Sequence, residues 1–274
     1  MVRSEGELLG VFPAAITSAE PAVVVSHPGA TFGGVVHNGR LAGNRMVQAM
    51  RALVEHYARN QGTLLRYKVL PFQYAIIPSQ DDLYALHVLK ARRYRCELSS
   101  SIAIDARREP SQRRQRSLKK AKRSVEVVQG LEYLDALHHV ITANLEREHG
   151  ADPVHSLEEL RILTSRFPKE IVVFVATING DVEAGVIFFN SPNVWHAQYI
   201  AASERAYAAC ALDAVFDAAI NASAAAGVSY LDFGTSNEHG GQVLNDGLYR
   251  YKSEFGGGGV AHEYYEISFD SGVT

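Results

Sequence analysis

The sequence predicts an α/β fold, with mixed sheets flanked by helices, and three observations carry that expectation. Short β-branched and aromatic runs alternate with segments whose apolar residues recur every three or four positions. The dipeptide Asn179-Gly180 sits between two apolar runs and is the strongest hairpin signal in the chain. A succession of meander strand, helix, glycine and buried strand occurs twice, as Phe32–Val36, helix, Gly62, Leu64–Leu70 and as His196–Ala201, helix, Gly227, Val228–Phe233. This reads as an internal duplication with a shortened first copy, and two copies are too few for a solenoid.

Taken in order, Leu8–Ile16, Ala22–Ser26 and Phe32–Val36 read as strands parted by Glu20-Pro21 and Pro28-Gly29. Met46, Val47, Met50, Leu53, Val54 and Tyr57 give Asn44–Arg59 a helical stripe, stopped at Gly62. Leu64–Leu70 is a strand ended by Pro71. Ser79 is a candidate cap for a helix to Lys90, with Asp81 and Asp82 suited to its first turn. Cys96–Ile104 is a strand. A basic segment from Arg107 to Arg123 follows, read either as a solvated linker helix or as an anion site. It lacks the interleaved aromatics of a nucleic-acid surface. Beyond it come strand Val125–Val128, helices Leu131–Glu148 and Ser156–Arg166, and strands Ile171–Ile178, Glu183–Asn190 and Val194–Ala201. A long Ala-rich helix spans Arg205–Ala226, then strand Val228–Phe233, helix Val243–Phe255 and strand Val260–Phe269. The expected division is residues 1–105, a basic connecting helix over 106–124, and residues 125–274.

Composition excludes several classes. The chain has 274 residues, 47% hydrophobic, which is enough for a core and rules out a disordered or fibrous protein. A net charge of −3 does not call for nucleic acid or an anionic membrane. Cys96 and Cys210 stand alone, without a CxxC or zinc pattern, so no metal and a reducing, cytoplasmic setting are expected. No window reaches the ~20 apolar residues of a membrane span. The start of the chain, with Arg3, Glu5 and Glu7 before a short apolar run, does not look like a signal peptide.

Chemistry concentrates after the buried strand Val228–Phe233, because ligands of α/β sheets gather at the carboxyl ends of strands. Ser236, Asn237, Glu238 and His239 supply donors, acceptors and titratable groups, with glycines around them. Asn245 and Lys252 share one helix face. Ser236, Asn237 and Asn245 are also reasonable helix caps. A second cluster runs from Glu148-His149 to His155-Ser156, where Ser156 with Glu159 forms a capping box and His155 is a candidate base or donor. In Trp195-His196-Ala-Gln198-Tyr199, alternation puts His196, Gln198 and Ile200 on one face and Trp195, Ala197 and Tyr199 on the other. No GxxxxGK[ST], HExxH or GxSxG motif occurs.

The chain resembles the GNAT (Gcn5-related N-acetyltransferase) superfamily, and within it the FemAB-like, tandem-GNAT branch. The resemblance rests on His149-Gly-Ala-Asp-Pro-Val-His-Ser, His196-Ala-Gln-Tyr, Asp232-Phe-Gly-Thr-Ser-Asn-Glu, Leu244-Asn-Asp-Gly-Leu, Lys252-Ser-Glu-Phe-Gly and Tyr264-Tyr-Glu-Ile. It implies two GNAT-like lobes, the first shortened, with a pocket between them near the end of Val228–Phe233. Members of this kind are often bacterial and tied to surface polysaccharide or cell-wall precursor synthesis. Ordinary GNAT enzymes use acyl-CoA, and the Fem proteins proper use aminoacyl-tRNA. Where GNAT enzymes usually carry Gln/Arg-x-x-Gly-x-Gly/Ala for the CoA pyrophosphate, this chain has Ser203-Glu-Arg-Ala-Tyr-Ala-Ala-Cys-Ala, with no glycine. FemAB-like relatives also tend to lose this motif. A helix N-terminus still binds phosphate through its amides, so Arg205, Ala206, Tyr207 and Ala208 are the expected cofactor contacts. The stretch Asn38–Asn44 is closer to a phosphate loop.

The expected activity is N-acyl transfer, with acyl-CoA (acetyl-CoA) as co-substrate and no metal, to a small-molecule amine such as an amino sugar or nucleotide-linked precursor. Glu238 or His155 is the expected base and Lys252 the oxyanion or phosphate partner. Tyr199, Gln198, Ser236, Asn237, Asn245 and His149 are the expected substrate contacts. The alternatives are aminoacyl-tRNA-dependent transfer, the one reading that calls on nucleic acid, and a non-catalytic GNAT-fold binding module. A homodimer is compatible with all three.

Overall fold

The computed structural model describes residues 1–18, 22–60 and 62–269, so the turn expected at Glu20-Pro21 lies outside the described residues. In chain order the strands are β1 (Val2–Ser4), β2 (Glu7–Val11), β3 (Ala14–Ile16), β4 (Val23–Ser26), β5 (Val36–His37), β6 (Leu64–Lys68) and β7 (Arg92–Ala103). They continue as β8 (Glu126–Gln129), β9 (Ile171–Ile178), β10 (Asp181–Asn190), β11 (Val194–Ala202), β12 (Tyr230–Thr235), β13 (Asn237–Glu238), β14 (Val243–Leu244) and β15 (Gly258–Ser268). The helices are α1 (Asn44–Arg59), α2 (Asp81–Val88), α3 (Gln112–Ala121), α4 (Leu134–His149), α5 (Leu157–Arg166), α6 (Glu204–Ala209), α7 (Ala211–Ala225) and α8 (Asp246–Ser253). The fold is mixed α/β. The chain forms two compact units: the first takes Met1–Leu98, Thr235–Asn245 and the segment from Val260, the second Ser99–Gly234 and Asp246–Gly259.

In the first unit the strand order is β3-β4-β6-β15-β7, with a small β1-β2-β5 sheet beside it in sequence. The apolar stripe of α1 buries Met46, Val47, Met50, Leu53 and Val54 against Val24, Leu65, Tyr67 and Ile267. Each fully buried side chain of this kind contributes ~1.5–3 kcal/mol. α1 ends at Arg59 with Asn60 as its cap, and the glycine expected after it is required by space: a Cβ on Gly62 would stand 2.8 Å from the Phe269 ring and 3.1 Å from the Tyr57 carbonyl. Two expectations fail here. Ser79 does not cap α2. Its Oγ meets His37 Nε2 at 3.3 Å, and Asp81 accepts the Gly43 N–H at 2.7 Å. Phe32–Val35 is not a strand and only Val36 enters one, the two-residue β5, so the first copy of the duplication loses most of that element. Buried Tyr67 takes its place, accepting the Val35 N–H at 3.0 Å and donating to Asp82 at 2.9 Å, while Gly34 packs on its hydroxyl with φ 98.

In the second unit the order is β7-β12-β11-β10-β9-β8. β8 to β11 pair antiparallel and β11 pairs β12 in parallel. Asn179 (φ 56) and Gly180 (φ 90) make the tight turn between β9 and β10, as the dipeptide predicts. One sheet face packs on α7 through Val186, Phe188, Trp195, Ala197, Val215 and Phe216. The other packs on α4 and α5 through Leu137, Ile141, Leu160, Ile187 and Tyr199.

Three features depart from expectation. The helix foreseen over Arg205–Ala226 breaks at Cys210, which adopts φ 59, ψ 36 and donates its N–H to the Tyr207 carbonyl at 3.1 Å. An Ala-rich stretch carries no stop signal, so the break is invisible in the periodicity. The helix foreseen from Val243 begins at Asp246, because Val243 and Leu244 pair with Glu238 and Asn237. Gln198 is an extra residue in β11: Ile187 pairs with Tyr199 and Phe188 with Ala197. This bulge flips the alternation. Trp195 and Ala197 therefore face α7, whereas Tyr199 faces α4.

The basic helix α3 is tied down by charge. Ser111 caps it, and Arg114, 3% exposed, donates to Asp213 Oδ1 at 2.5 Å and Glu254 Oε2 at 3.2 Å and lies over the Tyr251 ring.

Candidate active site

The site is built where two parallel strands part. The β11–β12 ladder pairs Val194 with Tyr230, Trp195 with Leu231 and His196 with Asp232, and ends there. β11 runs on to Ala202 and β12 to Thr235, so beyond the last rung the two strands continue without pairing to each other, an opening in the ladder of hydrogen bonds. Leu231 and Phe233 pack on the α7 face, which turns Asp232 and His196 to the α4 face, the face Tyr199 joins after the bulge. Gly234 edges the opening with φ 78. A Cβ there would stand 3.7 Å from His196 Cε1 and 3.9 Å from the Ala197 carbonyl oxygen.

Asp232 is fully buried and collects donors. Ser99 Oγ donates to Oδ1, the Gly234 N–H reaches the same oxygen at 3.2 Å, and His196 Nδ1 meets Oδ2 at 2.9 Å. Lys252 projects from α8 and is 5% exposed, with Nζ donating to the Gly234 carbonyl at 3.0 Å. Burial pulls it down from 10.5 to about 8, and the nearby Asp232 charge pulls the other way.

Tyr199 and His155 make a second pair on the α4 face. Tyr199 Oη accepts the His155 backbone N–H at 3.0 Å and meets His155 Nδ1 at 2.6 Å. Burial pushes the phenol above its usual value, so it keeps its proton. Asn144 of α4 accepts the Ala202 N–H at 3.0 Å and holds the end of β11 in place.

The other expected residues lie as follows. Gln198 is the bulge residue. Ser236, Asn237, Glu238 and Asn245 belong to the first unit, around β13 and β14. Asn245 Nδ2 donates to Glu238 Oε1 at 2.8 Å, and Asn237 Oδ1 accepts the Leu98 N–H at 2.6 Å. The Ser236 main chain donates to the Leu98 carbonyl and accepts from Asn245 N–H. His149 ends α4, and its side chain lies outside the described residues. At the start of α6, Ser203 Oγ accepts the Ala206 N–H at 3.1 Å and the Ser203 carbonyl accepts the Tyr207 N–H at 3.0 Å. Arg205 pairs with Glu183 at 3.0 Å, Ala206 is buried, and Tyr207 and Ala208 are exposed. The structure thus brings His155 to Tyr199, Glu238 to Asn245, and Lys252 to the edge of the β11–β12 opening. Ser99, Asp232 and His196 do not stand out as a unit in the sequence. The available signal was one polar residue inside each of two apolar strands, Leu231-Asp232-Phe233 and Trp195-His196-Ala197. No cluster of metal-ligating side chains occurs among the described residues, and no described helix is long and apolar enough to cross a membrane.

Residues 105–253, more than half of the chain, match the acetyltransferase (GNAT) domain family, and the protein belongs to that family as an acyltransferase. FemX is similar in structure, with a TM-score of 0.68 at 11% identity, covering 97% of this chain and 86% of FemX. The C-terminal domain of a putative lysylphosphatidylglycerol synthetase from Agrobacterium fabrum gives 0.68 at 14% identity, over 94% of this chain and 83% of that domain. A tandem GNAT protein from the clavulanic acid biosynthesis pathway gives 0.54 at 11% identity, over 97% and 81%. At such identities the likeness concerns the fold, and it supports the FemAB-like branch. No curated relative matches the sequence.

Proposed function

We propose that this protein is an N-acyltransferase that moves an acyl group, acetyl in the simplest case, from a thioester to the amine of a small molecule such as an amino sugar or nucleotide-linked precursor. The observation that carries this reading is the parting of β11 and β12 beyond His196 and Asp232, with Lys252 at its edge. Strand edges freed from each other offer backbone donors and acceptors to an extended, amide-containing arm such as pantetheine. Lys252 as an ammonium stabilises the tetrahedral oxyanion, a contribution of about 10²–10³ in rate for one well-placed donor. His155 and Tyr199 position the acceptor from the α4 face.

The acyl end of acyl-CoA fits this opening better than the diphosphate end fits the start of α6. Two amides there are already bonded, and Glu183 accepts from both Ser203 and Arg205. That crowding favours a second reading, an aminoacyl ester donor, for which the exposed cations of α3 would meet tRNA.

Thermal unfolding with acetyl-CoA, longer acyl-CoAs and free CoA separates the two. A ligand at a hundredfold excess over its dissociation constant adds ~2.7 kcal/mol, a rise of about 5 °C or more. With a shift, thiol release from acetyl-CoA in the presence of glucosamine and related amines should identify an acceptor. No shift with any thioester, together with tRNA binding that weakens steeply with salt, would transfer the assignment to the aminoacyl donor.

A further inference from the structure

We propose that α3 docks the protein on an anionic lipid bilayer, lying on its surface through the outward cations of the helix. The inference goes beyond the acyltransferase reading, since it concerns where the protein is held and not what it transfers.

The outward side of α3 carries one sign of charge. Arg113, Arg116, Lys119 and Lys120, with Lys122 and Arg123 just past the last turn, are all exposed. Over residues 112–123 the ion-paired cation among the described residues is Arg114 alone. No Asp or Glu occurs between Glu109 and Glu126, in a chain whose net charge is −3. Arg113 with Arg116, and Arg116 with Lys119 and Lys120, stand three or four residues apart, where like charges on a helix repel. An anionic surface laid along the ridge removes that cost. The ridge is also fixed in place. Ser111 caps α3, Arg114 and Ala121 are buried, and the pairs of Arg114 with Asp213 and Glu254 decide which side turns out. Arg113 to Lys120 then spans ~10 Å at ~1.5 Å per residue. Where the ridge ends, a cavity of about 310 Å³ is lined by Lys122, Arg123, Ser124, Glu126, Thr177 and Asn179, with room for a headgroup phosphate beside two cations.

Shape and composition select the bilayer over a polynucleotide. Proteins that hold single strands combine a cationic groove with aromatic side chains on which bases stack. α3 presents the convex side of a helix, and no aromatic residue occurs between Tyr94 and Tyr133. A bilayer asks for neither groove nor ring. A basic helix lying on an anionic leaflet gains about fivefold in partitioning for each Lys or Arg near the surface. None of the exposed large apolar side chains belongs to α3, so the contact is electrostatic and does not insert.

Flotation of the full-length protein tests this, with vesicles of phosphatidylcholine alone and of phosphatidylcholine with about 30% phosphatidylglycerol. Wild type should float with the anionic vesicles at about 0.1 M salt and leave them at about 1 M, as the screening length falls from about 10 Å to about 3 Å. The triple variant Arg116→Gln, Lys119→Gln, Lys120→Gln should lose about a hundredfold in partitioning, at about fivefold per cation, with thermal unfolding unchanged. Arg166→Gln, which removes an exposed cation of α5, should leave partitioning within about twofold. Equal binding to both kinds of vesicle overturns the proposal, as does a triple variant that floats like wild type. Transfer RNA bound by wild type and lost by the triple variant, with the anionic vesicles left unbound, also overturns it and gives α3 to the aminoacyl donor. Every result is read without turnover, so failure to find an amine acceptor bears on the acyltransferase reading and leaves this test standing.

Discussion

The second unit buries two cations, Arg114 and Lys252, and treats them in opposite ways. Arg114 touches two carboxylates, Asp213 and Glu254, and lies over the rings of Tyr251 and Phe255. Lys252 donates to a carbonyl, and the carboxylate nearest in influence, Asp232, is occupied by Ser99, His196 and the Gly234 amide. A buried charge wrapped by counter-charges is a fastener. A buried charge whose desolvation outweighs the nearby carboxylate is destabilised in its own ionised form, and the lowered pKa of Lys252 shows it. Perturbed groups of the second kind collect at reaction centres.

The largest effect that would break this contrast is on stability. Arg114→Met leaves buried Asp213 and half-buried Glu254 without their cation, and removing one partner of a buried pair costs about 3–5 kcal/mol. Urea or thermal unfolding measures it, and a loss under 1 kcal/mol would reduce Arg114 to an ordinary surface cation. Burial already holds Asp213 above the usual carboxylate range despite the Arg114 charge beside it. Desolvation therefore exceeds the Coulombic gain, and Arg114→Met with Asp213→Leu should be more stable than Arg114→Met alone.

Lys252→Met should go the other way. The shift from 10.5 to about 8 corresponds to roughly 3 kcal/mol of penalty on the buried ammonium at neutral pH. Losing the hydrogen bond to Gly234 offsets about half, so the variant should gain about 1–2 kcal/mol while turnover falls by about 10²-fold or more. The sign with pH follows. Between pH 8 and 10.5 the unfolded chain holds a proton on Lys252 that the folded chain has released, so wild-type stability rises there relative to the variant. At about 1.4 kcal/mol per pH unit the variant's lead should close by about pH 9–9.5 and reverse above it, and a gap that stays constant across this window would contradict a buried, destabilised ammonium. With the proposed role of the ammonium as oxyanion partner, the Lys252-dependent part of the rate should fall as pH passes about 8.

What the sequence made legible follows from the range of each interaction. The α1 stripe, the Asn179-Gly180 turn and the Ser156–Glu159 capping box are set by residues within a turn or two of one another, and each appears where expected. The bulge at Gln198 depends on how β10 pairs with β11, and the fate of Phe32–Val36 on a phenol from β6, so neither leaves a local trace. The same holds at the site. Lys252, His155 and Tyr199 stand out as polar residues in suggestive segments. The link from Ser99 to Asp232 joins residues 133 positions apart, and only the sheet order β7-β12-β11 brings Ser99, Asp232 and His196 together. The Arg114 fastener was hidden for another reason: among the many cations of Arg107–Arg123, nothing local marks the one that turns inward.

The mildest substitution sharpens the comparison most. Glu254→Gln removes one of the two counter-charges on Arg114 but keeps an oxygen where Nε donates at 3.2 Å, and Asp213 remains in direct contact. If Arg114 is held redundantly, the loss should be about 1 kcal/mol, the size of one charge-assisted bond weakened to a neutral one. Neither the Lys252-dependent pH gap nor turnover should move, because Glu254 touches the fastener and not the opening. A loss near that of Arg114→Met would mean that Glu254 carries the pair alone. A change in turnover with stability intact would mean that the two buried cations, adjacent in neither contact nor purpose on this account, are coupled through α8.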